Sequence, residues 1–185
     1  MATRMRHHRH DISEGIVLEA LSRHVPEIAF GIVEVVHLVI EAPRCKVAVT
    51  TTQPGVQAAA VCIGKAGARA RAIAADLGMA LVGIVTYSPD VTTYLTNAIS
   101  AHKVTPLHVE ITDVLNRKAR MVLDNSAPSP AGPSQLARAI GANGSNVRLA
   151  SALTGWQIQL CSPDCVPDSY CNHQPRSTST LAIAS

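Results

Sequence analysis

Aromatic side chains are scarce in this sequence: one Trp, one Phe and three Tyr, 3% of 185 residues. That argues against recognition of nucleic-acid bases by stacking on several exposed rings. It also means that any core is built from Ala, Val, Ile and Leu, small side chains that suit helices lying close against a thin sheet. Charge is sparse as well, at 16% of residues, with 16 Lys and Arg against 13 Asp and Glu and a formal net charge of +3. No apolar run approaches the roughly 18 residues that a membrane-spanning helix needs, so no membrane partner is expected. The 47% hydrophobic content is too high for a wholly disordered chain. The length allows one domain or two small ones. The basic opening MATRMRHHRHD is followed by no apolar leader or small-residue cleavage site. A cytoplasmic location is expected.

Five cysteines without a secretion signal do not suggest a disulfide framework. Cys45 and Cys62 sit inside apolar runs and read as small buried hydrophobes. Cys161, Cys165, Cys171 and His173 cluster near the end, but their spacing matches no common zinc module. His7, His8 and His10 read as part of a solvated basic start. No metal or cofactor is implied.

The apolar pattern from Asp11 to His24 predicts a helix with Ile12, Ile16, Val17, Ala20 and Leu21 on one face, a capping box from Asp11 to Glu14, and an end at Pro26. Two strands follow over Ile32–Ile40 and Cys45–Thr51. After the Pro54-Gly55 turn come short helices over Val56–Gly64 and Ala68–Leu77, the second closed by Gly78, and then a strand over Ala80–Tyr87. The same order returns. Asp90 caps a helix over Val91–Ser100, strands cover Val104–Thr112 and Lys118–Asp124, and Ser126–Pro133 forms a flexible connection. Short helices cover Ser134–Gly141 and Ser145–Thr154, Gly155 stops the second, and a last strand begins at Trp156. The tail from Ser162 is rich in Pro, Ser, Thr, Asn and Gln and is expected to be disordered. Trp156 is expected to anchor the core. Tyr87 and Tyr94 are expected to help dock the two repeats.

The repeat is marked by one short signature seen twice. The first copy is Ile63-Gly64-Lys65-Ala66-Gly67, followed by Arg69 and Arg71. The second is Ile140-Gly141-Ala142-Asn143-Gly144, followed by Asn146 and Arg148. A Gly-x-x-Gly between two helices lets the backbone turn sharply and approach a ligand. The second helix then starts at the turn and directs its free N–H groups and positive dipole end there, which favours an anion such as a phosphate. Basic residues accompany both copies and no acid falls near either loop. Ile63 and Ile140 are candidates for an aliphatic floor under bases, with core packing as the alternative. For Arg69 and Arg71 the alternative is a solvated helix face.

The order α-β-β-α-GxxG-α-β resembles the type II KH domain, and two in tandem resemble the RNA-binding half of the NusA family of bacterial transcription factors. The resemblance runs from about Val25 to Leu160 and is carried above all by Gln135–Leu160, QLARAIGANGSNVRLASALTGWQIQL. It implies an α+β fold of two KH domains, each a small three-stranded sheet covered by three helices. The expected division is a basic disordered start over 1–10, a first KH domain over 11–88, a second over 89–161 and a disordered tail over 162–185. It further implies single-stranded RNA binding by Ile63, Gly64, Lys65, Ala66, Gly67, Arg69, Arg71, Ile140, Gly141, Ala142, Asn143, Gly144, Asn146 and Arg148, in transcription elongation, termination or antitermination. Nascent RNA is the expected partner, with RNA polymerase and other Nus-type factors as further candidates and a monomer as the expected state. Family members usually carry a polymerase-binding domain and an OB-fold domain ahead of the KH pair, and 185 residues leave no room for these. The second loop has Ala142 where the family usually has a basic residue. With the low net charge, this supports an alternative: a degenerate pair acting as a protein adaptor. An enzyme is not expected, because Asp76, Asp90, Asp113 and Asp124 are scattered and no nucleophile–base pair or phosphate-loop lysine motif is present.

Overall fold

A computed structural model describes residues 12–100, 104–126 and 132–165. The chain divides into two units that meet between Ile84 and Val85. Each contains a three-stranded sheet, with the orders β1-β2-β3 and β4-β5-β6.

In the first unit, α1 (Glu14–His24) buries Val17, Ala20 and Leu21. Ile16, expected on the same face, is 47% exposed. Its angular offset from Val17 and Leu21 carries it off the narrow contact stripe. The helix begins immediately after Ser13, so Glu14 is its first residue and not the third-residue partner of a capping box; Asp11 lies outside the described residues. Pro26 does more than end α1. It opens a short helix, α2 (Pro26–Ala29), at a position where a missing N–H breaks no helical bond. Strands β1 (Glu34–Glu41) and β2 (Arg44–Thr50) pair antiparallel, and β3 (Leu81–Thr86) lies on the other side of β2. Between β2 and β3 run α3 (Ala58–Ile63), a single tight turn over Lys65–Gly67, and α4 (Ala68–Asp76). Cys45, Val47 and Val49 of β2 meet Val17, Leu21, Cys62 and Ile73 in an aliphatic core. Burial pushes the Cys45 thiol up to about 12. Both cysteines are thus the buried, inert thiols expected from their neighbours.

Lys46 also lies on β2 and is only 2% exposed. Desolvation lowers its pKa to about 7. Its stem packs beside Gly83 of β3, whose added Cβ would lie 3.6 Å from the Lys46 Cε.

In the second unit, α5 (Val91–Ile99) starts where the Asp90 carboxylate accepts the Thr93 N–H at 2.8 Å, the cap that the sequence predicts. Strand β4 (His108–Asp113) pairs antiparallel with β5 (Lys118–Val122), and β5 pairs parallel with β6 (Gln157–Cys161). The predicted start of β4 at Val104 is four residues early: Pro106 interrupts the run, and Val104 is buried ahead of the strand. The crossover from β5 to β6 carries α6 (Gln135–Ile140), a turn over Ala142–Gly144, and α7 (Ser145–Thr154). Ser134 caps α6, accepting the Ala137 N–H at 3.1 Å, and left-handed Gly155 ends α7. Leu136, Ala139, Val147, Leu149, Ala150 and Leu153 are buried with Met121, Ile158 and Leu160.

Tyr94 is buried, donates its hydroxyl to the Leu153 carbonyl at 3.2 Å and meets Tyr87 edge-on at 5.1 Å between ring centroids. These contacts lie within the second unit, so both rings take part in its own packing. Trp156 is half-buried and stands outside the fully buried set. The chain after β6 makes a turn over residues 162–165 with Ser162 buried, and the rest of the tail expected to be disordered lies outside the described residues. Cys161 is buried and Cys165 half-buried, whereas Cys171, His173 and the N-terminal histidines lie outside the described residues. Among the described residues no group of three metal-ligating side chains gathers, and no helix is long and apolar enough to cross a membrane.

Candidate nucleic-acid interface

The two Gly-x-x-Gly loops have the same backbone. Gly64 sits at φ 73°, ψ 171° and Gly141 at φ 73°, ψ 172°. This combination is open essentially to glycine alone. The third loop residue is left-handed in both, Ala66 at φ 50° and Asn143 at φ 53°. Gly67 and Gly144 are also left-handed and serve as N-caps of α4 and α7. Each loop is closed by one backbone bond between its glycines, Gly67 N–H to the Gly64 carbonyl at 3.0 Å and Gly144 N–H to the Gly141 carbonyl at 3.1 Å. The first helical turn after each loop holds no acid.

Beneath the loops the structure places two of the sequence-selected residues in bracing contacts. Arg69 donates from Nη1 to the Glu27 carboxylate at 3.0 and 3.2 Å and to the Val61 carbonyl at 2.9 Å. It thereby ties α4 to α2 and to the end of α3. Asn146 stands at the matching place in the second unit and is 3% exposed. Its side-chain N–H donates to the Ala139 carbonyl at 3.0 Å, the Ile99 carbonyl at 3.2 Å and the Arg138 carbonyl at 3.5 Å. Arg69 and Asn146 are chemically unlike, yet both fasten the helix after the loop to the helix before it. Glu27 was missed from the sequence because it lies 42 residues from its partner and no local pattern marks it.

The remaining residues sort by exposure. Lys65, Ala66, Ala142, Asn143, Arg71 and Arg148 are exposed, while Ile63 and Ile140 are half-buried. Ile63 packs against the first core, so at least one side of it does what a core residue does. Next to it, burial, aided by the Glu27 charge and opposed by Arg69, pushes the Cys62 thiol up to about 11. Arg71 reaches back to the Ala66 carbonyl at 2.6 Å, and Arg148 reaches back to the Asn143 carbonyl.

Comparison with known families places both units. Residues 12–87 match the NusA-like first KH domain and residues 91–165 match the NusA-like second KH domain. The chain belongs to the NusA-like KH family. This is a family of binding domains, not of enzymes. Among its relatives is the transcription termination/antitermination protein NusA of Mycobacterium tuberculosis, 38% identical over 146 residues that span 78% of this chain and 39% of the relative. The NusA of Thermus thermophilus is 38% identical over 148 residues, 80% of this chain and 35% of that protein. The NusA of Bacillus subtilis is 35% identical over 149 residues, 80% of this chain and 37% of that protein. The chain therefore spans well under half the length of these NusA relatives. The crystal structure of APE1850 shares the fold, with a TM-score of 0.53 at 17% identity over 79% of this chain and 94% of that one.

Proposed function

We propose that this NusA-like KH pair binds single-stranded RNA through its two Gly-x-x-Gly loops and serves transcription elongation, termination or antitermination in the bacterial cytoplasm. The observation that carries this reading is the duplicated loop. Two stretches of different sequence adopt one backbone whose first position is open essentially to glycine alone, each leading into a helix whose positive dipole end lies at the loop and favours an anion. In this reading residues 11–88 and 89–161 are the two RNA-binding units. Gly64–Gly67 and Gly141–Gly144 bring backbone near phosphates, Lys65 adds charge, and Ile63 and Ile140 offer their free sides to bases. Arg69 and Asn146 support the site from beneath. Arg71 and Arg148 lie at its rim. Nascent RNA is the partner, and contact with RNA polymerase or Nus-type factors is a further proposal, consistent with relatives named as transcription termination/antitermination proteins.

The test is binding of a short purine-rich RNA at low and at physiological salt by the whole chain and by Lys65→Asp and Ala142→Asp variants. Both positions are exposed, so added negative charge reaches the site without disturbing the core. Salt-dependent binding that each substitution weakens is expected. Absence of salt-dependent binding, or variants that bind as well as the parent, would sink the reading.

A second reading is an adaptor that grips protein. It is favoured by the uncharged Ala142 and by the β4–β5 hairpin tip, where Val114 is 71% and Leu115 95% exposed. Recovery of transcription proteins by the chain after nuclease treatment, with removal of RNA making no difference, would favour it.

A further inference from the structure

The bonding around the loops carries one more inference, which rests on the RNA-binding reading. An arginine four residues into the helix after each loop folds back over that loop. Arg71 Nη1 donates to the Ala66 carbonyl at 2.6 Å, and Arg148 Nη1 donates to the Asn143 carbonyl. The loops differ at both variable positions, Lys65-Ala66 against Ala142-Asn143, yet the same guanidinium nitrogen meets the same carbonyl. In each loop that carbonyl belongs to the non-glycine residue with positive φ. Such a residue lies outside the helical run, so the helix offers its carbonyl no partner. Left bare, the carbonyl would present the negative end of its dipole where a phosphate is to lie. The guanidinium covers it. Room for this depends on Gly67, where a Cβ would lie 3.1 Å from the Arg71 Nη1.

We propose that Arg71 and Arg148 are positioning residues: each holds its loop in the RNA-receiving conformation through the carbonyl of the left-handed residue, and acts on RNA through the loop and not as a phosphate partner. This separates them from Lys65, an exposed charge at the first variable position.

The experiment uses the whole chain with Arg71→Gln, Arg148→Gln and, as a charge control, Lys65→Gln. Two quantities are read: the slope of log affinity against log salt for a short single-stranded RNA, and amide hydrogen exchange at residues 65–68 and 142–145 without RNA. Arg71→Gln is expected to bind about tenfold more weakly, as loss of a charge-assisted bond implies. Its salt slope should match the parent, and its loop amides should exchange faster. Lys65→Gln is expected to lower the slope by about 0.7, the value for one phosphate contact on a single strand, with exchange unchanged. A slope reduced by the same amount in Arg71→Gln, or loop exchange equal to the parent, overturns the proposal. A parent that binds no RNA instead defeats the RNA-binding reading, and the exchange measurement still decides whether the arginines brace the loops. Thermal unfolding verifies that each variant is folded, and should one lose its fold, the matching variant in the other unit decides.

Discussion

Replacing Gly64 by alanine tests the loop geometry most directly. Two costs combine there. The backbone at φ 73°, ψ 171° is a region that side chains other than glycine's disfavour, and holding alanine in it costs roughly 1–3 kcal/mol. The added Cβ would also lie 2.9 Å from the Arg69 Cγ and 3.1 Å from both its Cβ and its backbone nitrogen. The backbone nitrogen belongs to the first turn of α4, and the arginine's far end is held by Glu27 and the Val61 carbonyl. Neither end of Arg69 is free to withdraw, so the overlap adds an overpacking cost of about 1–3 kcal/mol. Together these give an expected loss of about 2–6 kcal/mol. Gly78 provides the control. Its φ is also positive, at 62°, but a Cβ there meets nothing within 4 Å. Gly78→Ala should therefore carry only the left-handed strain, about 1 kcal/mol. Urea unfolding followed by circular dichroism measures both. Gly141→Ala extends the test, since its Cβ would lie 2.8 Å from the Asn146 Cβ and 2.9 Å from its nitrogen. If Gly64→Ala proved no more destabilising than Gly78→Ala, the steric argument for the first glycine of each loop would be refuted.

Two further outcomes follow from the packing. The Lys46 pKa is lowered in the folded protein to about 7 from an ordinary 10.5. The unfolded chain then binds more protons between those values, so this residue makes stability rise as pH increases from about 7 toward 10.5. Lys46→Met should flatten that rise in a series of urea unfolding curves, and an unchanged pH dependence would exclude Lys46 as its source. Ser134→Ala removes the cap of α6, in which the hydroxyl accepts the Ala137 N–H at 3.1 Å. It should cost about 1 kcal/mol in the same assay, and a neutral result would show that the cap adds nothing.

Much of this molecule was readable from its sequence, for identifiable reasons. The Gly-x-x-Gly loops could be read because their conformations demand glycine, and a demand of that kind leaves its mark on residue identity. The Asp90 cap could be read because a cap is satisfied within three residues. The α1 stripe could be read except at Ile16, where the periodicity allows a wider face than the packing uses. What the sequence does not carry is whatever depends on distant partners. Arg69 and Asn146 follow the loops in sequence and read as candidate RNA contacts; the bonds they make within the fold, to Glu27 and to the Ile99 carbonyl 42 and 47 residues away, leave no local mark. The helix at Pro26 was missed because proline marks both the end of one helix and the start of another. The bond from the Tyr94 hydroxyl to the Leu153 carbonyl, 59 residues away, likewise leaves no local mark.

The parallel pairing of β5 with β6 has a consequence for the order in which the second loop comes into being. Parallel neighbours cannot be joined by a tight turn, so the chain must travel out and back before the sheet is complete. The Ala142–Gly144 turn lies on that journey, between α6 and α7. Pairs such as Ala119 with Ile158 join residues far apart in the chain, and contacts of that kind form late because a long loop must close first. During synthesis, strands β4 and β5 emerge with nothing on the open side of β5 until Gln157–Cys161 follows. The second loop would thus gain its fixed shape only when the last strand docks. A ribosome pause before that point would leave a chain with its first loop already formed and its second still to come.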